Sequence, residues 1–569
     1  VTKMIYYLDS RVGDYELPES VTEIPDAAFN GKANVTKVIV HNKVTYIGAD
    51  AFKNCTNLVG IEIKDNGEEK VDLRIGSNAF SGCKKLGKIT LSDRLVEMGD
   101  GVFGGCEALV TIALPASLER FGTYGNDEDG NEVLVSLNAF EGCKALETIT
   151  VEDGNKYYLA QDGVLYSGET DASSAFVAKQ LIVSPVANSG EIVVPSTVTK
   201  VWTNAFNGNT GITKIIFESD DGYKLKEIDE KAFYNCKALE EVILPKGLEV
   251  LKSNTFENCR ALTKVTVPCT VALVETSVFS NCSNLSIVEF EETGVDDKYV
   301  ELVIADGKTT TSGSNQGTQT SYYGSFAGCA SLETVVFPER LVSLGSYAFV
   351  DSGITAIEFP STLKSMGESV FFNATQLKEV VFKNKTEEKD GKTVVVPSEF
   401  KELPAKAFHI GYTGNSLQKV VLPEGLTTIG YQAFYYCDKL TEITIPSTVT
   451  EIGASFTIKS GSYTTIVNGS AFASCKSLAK VTFAEGSELE TIGDSSFSGT
   501  AITSITLPAT LKKIGESAFS SSKLKELTFA TEKTEGDEEA YASIESFGES
   551  AFSGTPLESF IMPKTKENV

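Results

Sequence analysis

The chain has 569 residues, of which 77 are acidic and 50 are Lys or Arg, so its formal net charge is -27. This balance argues against binding to nucleic acid or to anionic membranes, because phosphate recognition requires clustered positive charge. The longest uncharged apolar runs have the length of a β-strand, far short of the roughly 20 residues that cross a bilayer.

The first residues differ from the rest of the chain. The apolar run from Met4 to Leu8 predicts a lead-in strand, and Leu17-Pro18 begins the first copy of a repeat. We expect residues 1–16 to form an N-terminal cap and residues 17–569 a repeat solenoid, because terminal units must cover the open end of the core. No charged-then-apolar secretion signal opens the chain. The sequence also starts without an initiator Met, so we expect a processed or trimmed N-terminus from which targeting information has been removed.

A sequence motif built around one phenylalanine recurs along almost the whole chain. It is clearest from residue 239 to residue 279, which reads LEEVILPKGLEVLKSNTFENCRALTKVTVPCTVALVETSVF. The 18 copies of the phenylalanine are separated by as few as 22 or 23 residues and lie at Phe29, Phe52, Phe80, Phe103, Phe140, Phe206, Phe233, Phe256, Phe279, Phe326, Phe349, Phe371, Phe408, Phe434, Phe472, Phe497, Phe519 and Phe552. A period of this length with Leu-x-x-Leu-x-Leu character predicts a leucine-rich-repeat solenoid.

Each copy contains three segments with different expected structures. The first, as in LVTIALP from Leu109 to Pro115, predicts a strand, because its central residue is Thr, Val or Ile in 14 of 18 copies. One strand per repeat of about 23 residues gives a parallel β-sheet, which we place on the concave face. The second, as in Leu426 to Gly430, predicts another inward-facing run ending in a glycine turn. The third, Ala-Phe-x-x-Cys, predicts a turn or short helix on the convex side.

The cysteines follow the same repeat. Ten of the 11 lie three residues after the repeat phenylalanine, at Cys55, Cys83, Cys106, Cys143, Cys236, Cys259, Cys282, Cys329, Cys437 and Cys475. Other copies have Lys32, Asn209, Ser352, Ala374, Gly411, Thr500, Ser522 or Thr555 there. A position that accepts small residues in place of Cys predicts a core ladder of free thiols. Disulfides are disfavoured because parallel side-chain vectors do not converge, and zinc because no C-x-x-C pair occurs.

Longer spacings between copies mark six insertions. They lie near residues 122–136, 156–189, 291–321, 383–399, 454–469 and 530–543. Nearly all follow the strand and precede the next phenylalanine, which places them at the edge or back of the solenoid. Such insertions either form a recognition surface or are simply tolerated, since the entropy of loop closure grows slowly with length. The sequence leaves both readings open.

The insertion at residues 156–189 predicts a β-hairpin around Asp162-Gly163. Its tyrosines, Tyr157, Tyr158 and Tyr166, predict either a contact patch or a cover for the edge of the sheet.

No constellation of residues predicts a catalytic, cofactor or metal site. The two histidines, His41 and His409, lie in different phases of the repeat, so a Ser-His-Asp or Cys-His arrangement is not expected. The segment from Asn126 to Glu132 resembles a calcium loop in composition. Its glycine comes fourth after Asp127, whereas the EF-hand loop needs it sixth, so we expect a solvated turn. Binding residues stay unassigned.

The outward residues of the predicted strands provide 36 positions. Lysines occur at Lys37, Lys88, Lys214, Lys264, Lys419 and Lys480, and glutamates at Glu62, Glu241, Glu289, Glu358, Glu379, Glu442 and Glu526. With six positive and seven negative charges the face is nearly neutral, so the acidic excess belongs to the loops and back. A mixed Thr, Lys, Glu and aliphatic surface favours a protein ligand over a polyanion, and it offers few aromatic rings for sugars.

The combined register L-P-x-x-[LV]-x-x-[IL]-G-x-x-A-F-x-x-C-x-x-L-x-x-[IV]-x-[LF] resembles the BspA-like, or treponemal-type, class of leucine-rich repeats. The hairpin from Asp162 to Tyr166 is similar to an interruption common in that family. The resemblance implies a surface or secreted protein of a host-associated organism, several members being adhesins for host matrix or cells. It supplies no catalytic residues and no general ligand motif.

Three functions are therefore expected, in descending order. The first is a non-enzymatic, secreted or cell-surface, adhesin-like protein whose partner is a host extracellular-matrix or cell-surface protein. The second is a structural stalk that displays another domain. The third is a carbohydrate-binding surface protein that uses insertion tyrosines such as Tyr157, Tyr322 and Tyr323. We expect no cofactor, no nucleic-acid partner and no enzymatic activity.

Overall fold

A computed structural model describes residues 2–3, 12–65, 71–126, 130–218, 224–292, 300–314, 317–411, 414–460, 463–531, 542–560 and 564. The predicted lead-in run from Met4 to Leu8 and most of the insertion at residues 530–543 lie outside these ranges. The chain divides into two compact units, Val1–Leu248 and Glu249–Val569. The division between a cap and a solenoid at residue 16 stays a prediction.

Each repeat contributes one strand, here called the first strand, from its Leu-x-x-[IV]-x-[LF] segment. In residues 1–248 the first strands are Gly13–Glu16, Val35–Val40, Gly60–Ile63, Lys88–Thr90, Thr111–Leu114, Thr148–Val151, Ser189–Val194, Gly211–Phe217 and Glu241–Ile243. In residues 249–569 they are Lys264–Val267, Ile287–Phe290, Thr334–Val336, Ala356–Phe359, Glu379–Phe382, Lys419–Val421, Glu442–Ile445, Lys480–Phe483, Ser504–Leu507, Glu526–Phe529 and Ser559–Phe560. Their pairings are parallel, as predicted. Register shifts occur in the pairings of Gly13–Glu16 and Ser189–Val194 with the strands that follow them.

The Leu-x-x-Ile-Gly segment forms another strand, here called the second strand, which sequence analysis had treated only as an inward-facing run. In residues 1–248 these strands are Thr2–Lys3, Val21–Ile24, Tyr46–Ile47, Leu73–Ile75, Leu95–Met98, Arg120–Phe121, Lys200–Val201 and Glu227–Ile228. In residues 249–569 they are Val250–Leu251, Leu273–Val274, Leu302–Ile304, Leu341–Leu344, Ser365–Met366, Glu402–Leu403, Thr428–Gly430, Glu451–Ala454, Thr491–Ile492, Lys513–Ile514 and Ser546–Phe547. They also pair in parallel within each unit.

The glycine that ends most second strands is required by close approach to the preceding repeat. An added Cβ at Gly367 would lie 2.2 Å from the backbone nitrogen of Ser346, and one at Gly99 would lie 2.4 Å from that of Ser77. No side chain fits in that space. The predicted glycine turn is therefore a packing requirement between successive repeats.

The Ala-Phe-x-x-Cys segment, here called the phenylalanine turn, is a turn in the described residues, which contain no helix. Its phenylalanine is buried in every copy except the last, Phe552, and most of these rings pack on the phenylalanine of the next copy. Within residues 1–248 ring centroids lie 4.6–5.8 Å apart from Phe29 to Phe140, and Phe206 and Phe233 lie 4.9 Å apart. Within residues 249–569 the spacing is 4.7–5.8 Å from Phe256 to Phe552.

The thiols of the phenylalanine turns are buried and free, as predicted. They also have a role that the sequence did not show. The Sγ of Cys83 donates a hydrogen bond to the carbonyl oxygen of Phe52 at 3.0 Å, and the Sγ of Cys282 donates to that of Phe256 at 3.0 Å. Each thiol thus satisfies a buried backbone acceptor of the preceding repeat. Only Cys269, outside the ladder, is partly exposed.

The insertions are antiparallel hairpins where the structure describes them. They comprise Thr123–Asn126 with Glu132–Ser136, Tyr158–Gln161 with Val164–Thr170 and Phe176–Val183, Lys308–Ser314 with Gly317–Tyr323, Lys385–Lys389 with Lys392–Val396, and Phe456–Ser460 with Tyr463–Val467. Three of them, which begin at residues 123, 308 and 456, follow a second strand. The other two follow a first strand.

Two buried arginines stabilise interrupted repeats. Nη1 of Arg94 donates to the carbonyl oxygens of Val44 and Val71 at 3.0 and 2.9 Å. Arg340 occupies the same position in a later repeat, and its Nη1 donates to Val271 at 2.6 Å while its Nε donates to Glu291 at 3.1 Å. Both side chains are at most 3% exposed. In each case the preceding repeat has a long connection between its first and second strands, at residues 64–72 and 291–301. The guanidinium donates to a backbone carbonyl oxygen of that connection, at Val71 or Glu291.

Candidate functional site

The exposed surface of the first strands, here called the first-strand face, is the main uncovered sheet surface of each unit. Burial alternates along these strands because successive side chains point to opposite sides of a sheet. In Thr111–Leu114, for example, Ile112 and Leu114 are buried whereas Thr111 and Ala113 are exposed. The outward positions expected from the sequence are therefore the positions that face solvent.

Most charges on this face form ion pairs between neighbouring strands. In residues 1–248 the ammonium of Lys37 lies 3.1 Å from Glu62 and that of Lys214 lies 3.0 Å from Glu241. The bond to Glu241 raises the pKa of Lys214. Among the described residues Lys88 has no carboxylate within 4 Å. The face is therefore nearly neutral, as predicted, because opposite charges lie next to each other on adjacent strands.

The same pattern holds in residues 249–569. Four further pairs join Lys264 to Glu289 at 2.8 Å, Lys383 to Glu358 at 2.8 Å, Lys419 to Glu379 at 2.6 Å, and Lys480 to Glu442 at 3.6 Å. All these side chains are more than 40% exposed. Exposed pairs of this kind contribute at most about 1 kcal/mol each to stability.

Aliphatic side chains lie between these ion pairs. Val336 is 50% exposed and lies directly opposite Glu289 on the neighbouring strand. Ile287 lies two residues before Glu289, diagonal to Val336, and Ala356 is exposed on the next strand. We call Ile287, Val336 and Ala356 the central patch. It is followed along the same unit by Val421, which is 36% exposed. An apolar centre bounded by charged pairs is the arrangement found in protein–protein interfaces.

A groove of about 560 Å³ indents the face near the C-terminal end of the second unit. It is lined by outward residues of three consecutive first strands, namely Lys480, Thr482, Ser504, Thr506, Glu526 and Thr528. The Oγ1 atoms of Thr506 and Thr528 lie 2.8 Å apart and share a hydrogen bond. Five residues separate Phe483 from Leu489, whereas three separate Ile445 from Val449 in the preceding repeat. The longer turn leaves Phe483 half-buried at the groove.

The tyrosines of the insertions differ in exposure. Tyr158 and Tyr166 are 3% and 1% exposed and therefore do not form a contact patch, whereas Tyr157 is 43% exposed. The ring of Tyr322 packs against Tyr347 and Phe372, with centroids 5.3 and 5.0 Å away. Tyr322 is therefore held within an aromatic cluster of its own chain.

The residues considered for catalysis or metal binding do not converge. Nε2 of His41 lies 2.8 Å from the carbonyl oxygen of Pro18, and Nδ1 accepts from the backbone of Lys43. His409 is buried, and desolvation together with Lys406 lowers its pKa to about 4. In the ranges that the structure describes, no three His, Cys, Asp or Glu side chains could hold a metal ion together. The candidate calcium segment lies partly outside these ranges, at residues 127–129.

Sequence reasoning did not identify Arg94 and Arg340 or the thiol hydrogen bonds. The arginines had one available signal. Each arginine comes directly before the leucine that begins the Leu-x-x-Ile-Gly segment, at a position where other copies have residues such as Gly247, Thr362 or Gly425. A long charged side chain in a tight, inward-turning segment next to an insertion indicates a buried contact with backbone carbonyls.

Comparison with known proteins agrees with the repeat register. The model of the BspA type leucine rich repeat region matches residues 3–127, 186–296, 314–409, 388–459 and 454–569. A search of curated proteins gives no significant match. No helix long and apolar enough to cross a membrane occurs in the portion of the chain that the structure covers.

Solved structures with a similar fold include bacterial leucine-rich repeat proteins. One is a leucine rich cell surface protein of Faecalibacterium prausnitzii A2-165, with 20% identity over 66% of this chain and 88% of that chain, at a TM-score of 0.35. Another, from Eubacterium ventriosum ATCC 27560, has 22% identity over 68% and 94%, at a TM-score of 0.41. The T. pallidum leucine rich repeat protein has 21% identity over 44% and 77%, at a TM-score of 0.22. Identities and TM-scores this low carry no statement about function or a ligand.

Proposed function

Because the chain belongs to the BspA-type leucine-rich repeat family, we propose that it is a non-enzymatic cell-surface protein that binds a protein partner through its first-strand face. One of the structurally similar proteins is described as a bacterial cell surface protein, which supports the location. The partner expected for an adhesin of this kind is a host extracellular-matrix or cell-surface protein.

The observation that carries this proposal is the central patch and its charged surroundings. Ile287, Val336 and Ala356 present aliphatic surface on consecutive strands, and the Lys264–Glu289 pair borders them. Burying such a patch against a partner releases water from apolar surface, which supplies affinity. The bordering charges can exchange their intramolecular partners for those of a ligand, which supplies specificity and faster association.

The charge distribution supports a protein ligand over a polyanion. The net charge of -27 repels nucleic acid and other polyanions. On the face itself, the lysines other than Lys88 pair with neighbouring glutamates, so the described part of the face offers no cluster of free positive charge to phosphate or sulfate groups.

The test uses one substitution on the patch and one matched control. Val336→Asp places a carboxylate on the central patch, whereas Val395→Asp changes a valine of similar exposure, 48%, on the hairpin at residues 385–396. Each variant is measured by biolayer interferometry against a panel of purified host extracellular-matrix proteins. Wild type and Val395→Asp should bind a panel member equally, and Val336→Asp should bind it at least about tenfold more weakly.

The charged border gives a second, independent readout. Lys264→Glu replaces an ion pair by two carboxylates on neighbouring strands and should slow association at low salt, with the difference shrinking as salt screens the charges. Circular dichroism confirms that each variant is folded. The proposal is wrong if no panel member binds wild type, or if Val336→Asp and Val395→Asp behave alike.

A further inference from the structure

A backbone position in the phenylalanine turn restricts which residues it accepts. Two residues after the repeat phenylalanine the backbone adopts a left-handed conformation, as at Asn281, with φ 59°, and Gly328, with φ 71°. Glycine or a short polar residue occupies this position in the other described copies that share the conformation, at Gly31, Asn54, Gly82, Gly105, Gly142, Gly208, Asn235, Asn258, Asp351, Asn373, Ser474, Gly499, Ser521 and Gly554. This is the choice expected where a side chain is penalised sterically.

Tyr436 is the exception at this position, although bulky residues with positive φ also occur two residues before the phenylalanine of other turns, as at Lys231 and Tyr347. Tyr436 has φ 60° at the same position of its turn. A bulky residue in this conformation costs about 1–2 kcal/mol relative to glycine, and sixteen other turns show that the fold does not need a ring here. Strained residues that persist without a need of the fold are concentrated at functional sites.

The surroundings of Tyr436 contain the groups of a small ligand site. Its ring meets that of Tyr435 edge to face, with centroids 4.5 Å apart. The ammonium of Lys476, from the next repeat, lies 5.7 Å from the centre of the Tyr436 ring and 3.7 Å from a carboxylate oxygen of Asp438. Both tyrosines are half-buried, and the Lys476 side chain is 67% exposed. Two aromatic rings, one cation and one carboxylate thus share a surface of the second unit.

We propose that Tyr435, Tyr436, Lys476 and Asp438 bind a neutral sugar ring of a glycan. The C–H faces of a pyranose are apolar and weakly positive, so they pack against the negative face of an aromatic ring. The ammonium can donate hydrogen bonds to sugar hydroxyls and the carboxylate can accept them. Since the charges of Lys476 and Asp438 cancel, the site favours a neutral sugar over an acidic one.

The dimensions of the cluster favour a sugar ring over a protein partner. A stable protein interface needs about 800 Å² on each side, whereas the aromatic part of this cluster consists of two half-buried rings with charged residues beside them. The site belongs to the phenylalanine turns and is separate from the first-strand face. Its existence does not depend on the protein-binding function proposed above.

The test measures sugar binding and stability in the same variants. Wild type is titrated with lactose, N-acetyllactosamine, cellobiose and chitobiose by saturation-transfer-difference NMR and calorimetry. Tyr436→Asn, which installs the residue found at Asn373, should weaken binding of the recognised sugar at least about tenfold. The same substitution should raise the thermal midpoint, because it relieves the backbone strain.

A second variant introduces tyrosine at the same left-handed position of another turn and measures the cost of the backbone strain. Ser521→Tyr places tyrosine at the equivalent position of another turn and should lower the thermal midpoint while leaving sugar binding unchanged. The inference is overturned if none of the four disaccharides binds wild type, or if Tyr436→Asn binds as wild type does. It is also overturned if Tyr436→Asn lowers the thermal midpoint, since Tyr436 would then serve the fold.

Discussion

The ladder of phenylalanine turns is interrupted in one unit and continuous in the other. In residues 249–569, eleven described phenylalanines stack from Phe256 to Phe552. In residues 1–248 the series stops at Phe140 and resumes at Phe206. Between them the chain at residues 182–186, which ends the three-stranded insertion, fills the position of a turn and borders a cavity of about 60 Å³.

The difference shows what a repeat must supply. The backbone of Ser184 donates to the carbonyl oxygen of Ala205, and that of Ala187 donates to Leu146, so the insertion provides hydrogen bonds on both sides of the gap. It provides Ile182 as apolar filling, yet it does not restore the stacked ring. The backbone N–H and C=O groups of such a core must form hydrogen bonds. The close packing of its side chains, in contrast, can be relaxed at a cost in stability.

The largest expected effect is a difference in the stability lost when a phenylalanine is removed from each ladder. Phe349→Ala removes a fully buried ring that has a ring on each side, and should lower the free energy of unfolding by about 5 kcal/mol. Phe140 is 6% exposed and borders the cavity, so Phe140→Ala should cost only about 3 kcal/mol. Urea unfolding at 25 °C measures both. An equal or larger loss for Phe140→Ala would show that the interrupted ladder is packed as tightly as the continuous one.

The buried arginines should both stabilise their units, Arg340 more than Arg94. Arg340→Met leaves backbone carbonyl oxygens without a donor and should cost roughly 3 kcal/mol in urea unfolding. Arg94→Met should cost less, because it also removes Nε and Nη2, which are buried without a hydrogen-bond partner in the described structure. Arg74, which pairs with Glu97 at 3.5 Å on the surface, serves as the control. Arg74→Met should change stability by less than about 1 kcal/mol. Near-neutral behaviour of Arg340→Met would remove the role assigned to the guanidinium.

Alkaline pH should destabilise both ladders equally through their thiols. Burial raises the pKa of Cys143 and Cys329 to about 12, whereas an unfolded thiol titrates near pH ~8.5. Above that pH the unfolded chain loses these protons first, so stability is present below it and falls as the pH rises toward 12. The expected loss is about 2 kcal/mol per thiol at pH ~10.

The check compares wild type with Cys143→Ala and Cys329→Ala by urea unfolding at neutral and alkaline pH. Each variant should lose about 2 kcal/mol less than wild type on alkalinisation. A variant whose alkaline loss equals that of wild type would show that its thiol already titrates normally in the folded protein.

The smallest expected effect is the difference in stability between serine and alanine at a thiol position, which tests the thiol hydrogen bond. Where serine replaces cysteine, at Ser352 and Ser522, the described structure gives the buried hydroxyl oxygen no hydrogen-bond partner. The shorter C–O bond does not reach the carbonyl that Sγ reaches. Cys282→Ser should therefore be less stable than Cys282→Ala by about 1 kcal/mol. The reverse order in urea unfolding would indicate that the hydroxyl finds the acceptor.

The sequence predicted the repeat architecture because burial in a solenoid is periodic. Any residue that recurs every 22 or 23 positions occupies the same environment in each copy, so Phe371 and Cys282 could be assigned to the core. The same periodicity identified the exposed positions of the first strands. The second strands were recognised only as inward-facing runs, since two to four residues are too few to show strand alternation.

What the sequence could not supply were contacts between residues of different copies. The pairing of Lys214 with Glu241 depends on strand register, and the bonds of Arg340 reach residues 49 to 72 positions earlier in the chain. The strain at Tyr436 becomes visible only when the backbone angles of all turns are compared.

The sequence by itself determined the repeat, its family and the division of each copy into buried and exposed positions, because hydrophobic burial depends mainly on local periodicity. Only the tertiary structure decided which exposed charges neutralise one another, where the ladder is interrupted, and which turn holds a strained tyrosine beside a cation. Those features arise from the spacing and register of stacked copies, which are set by hydrogen bonds between repeats rather than by any single segment.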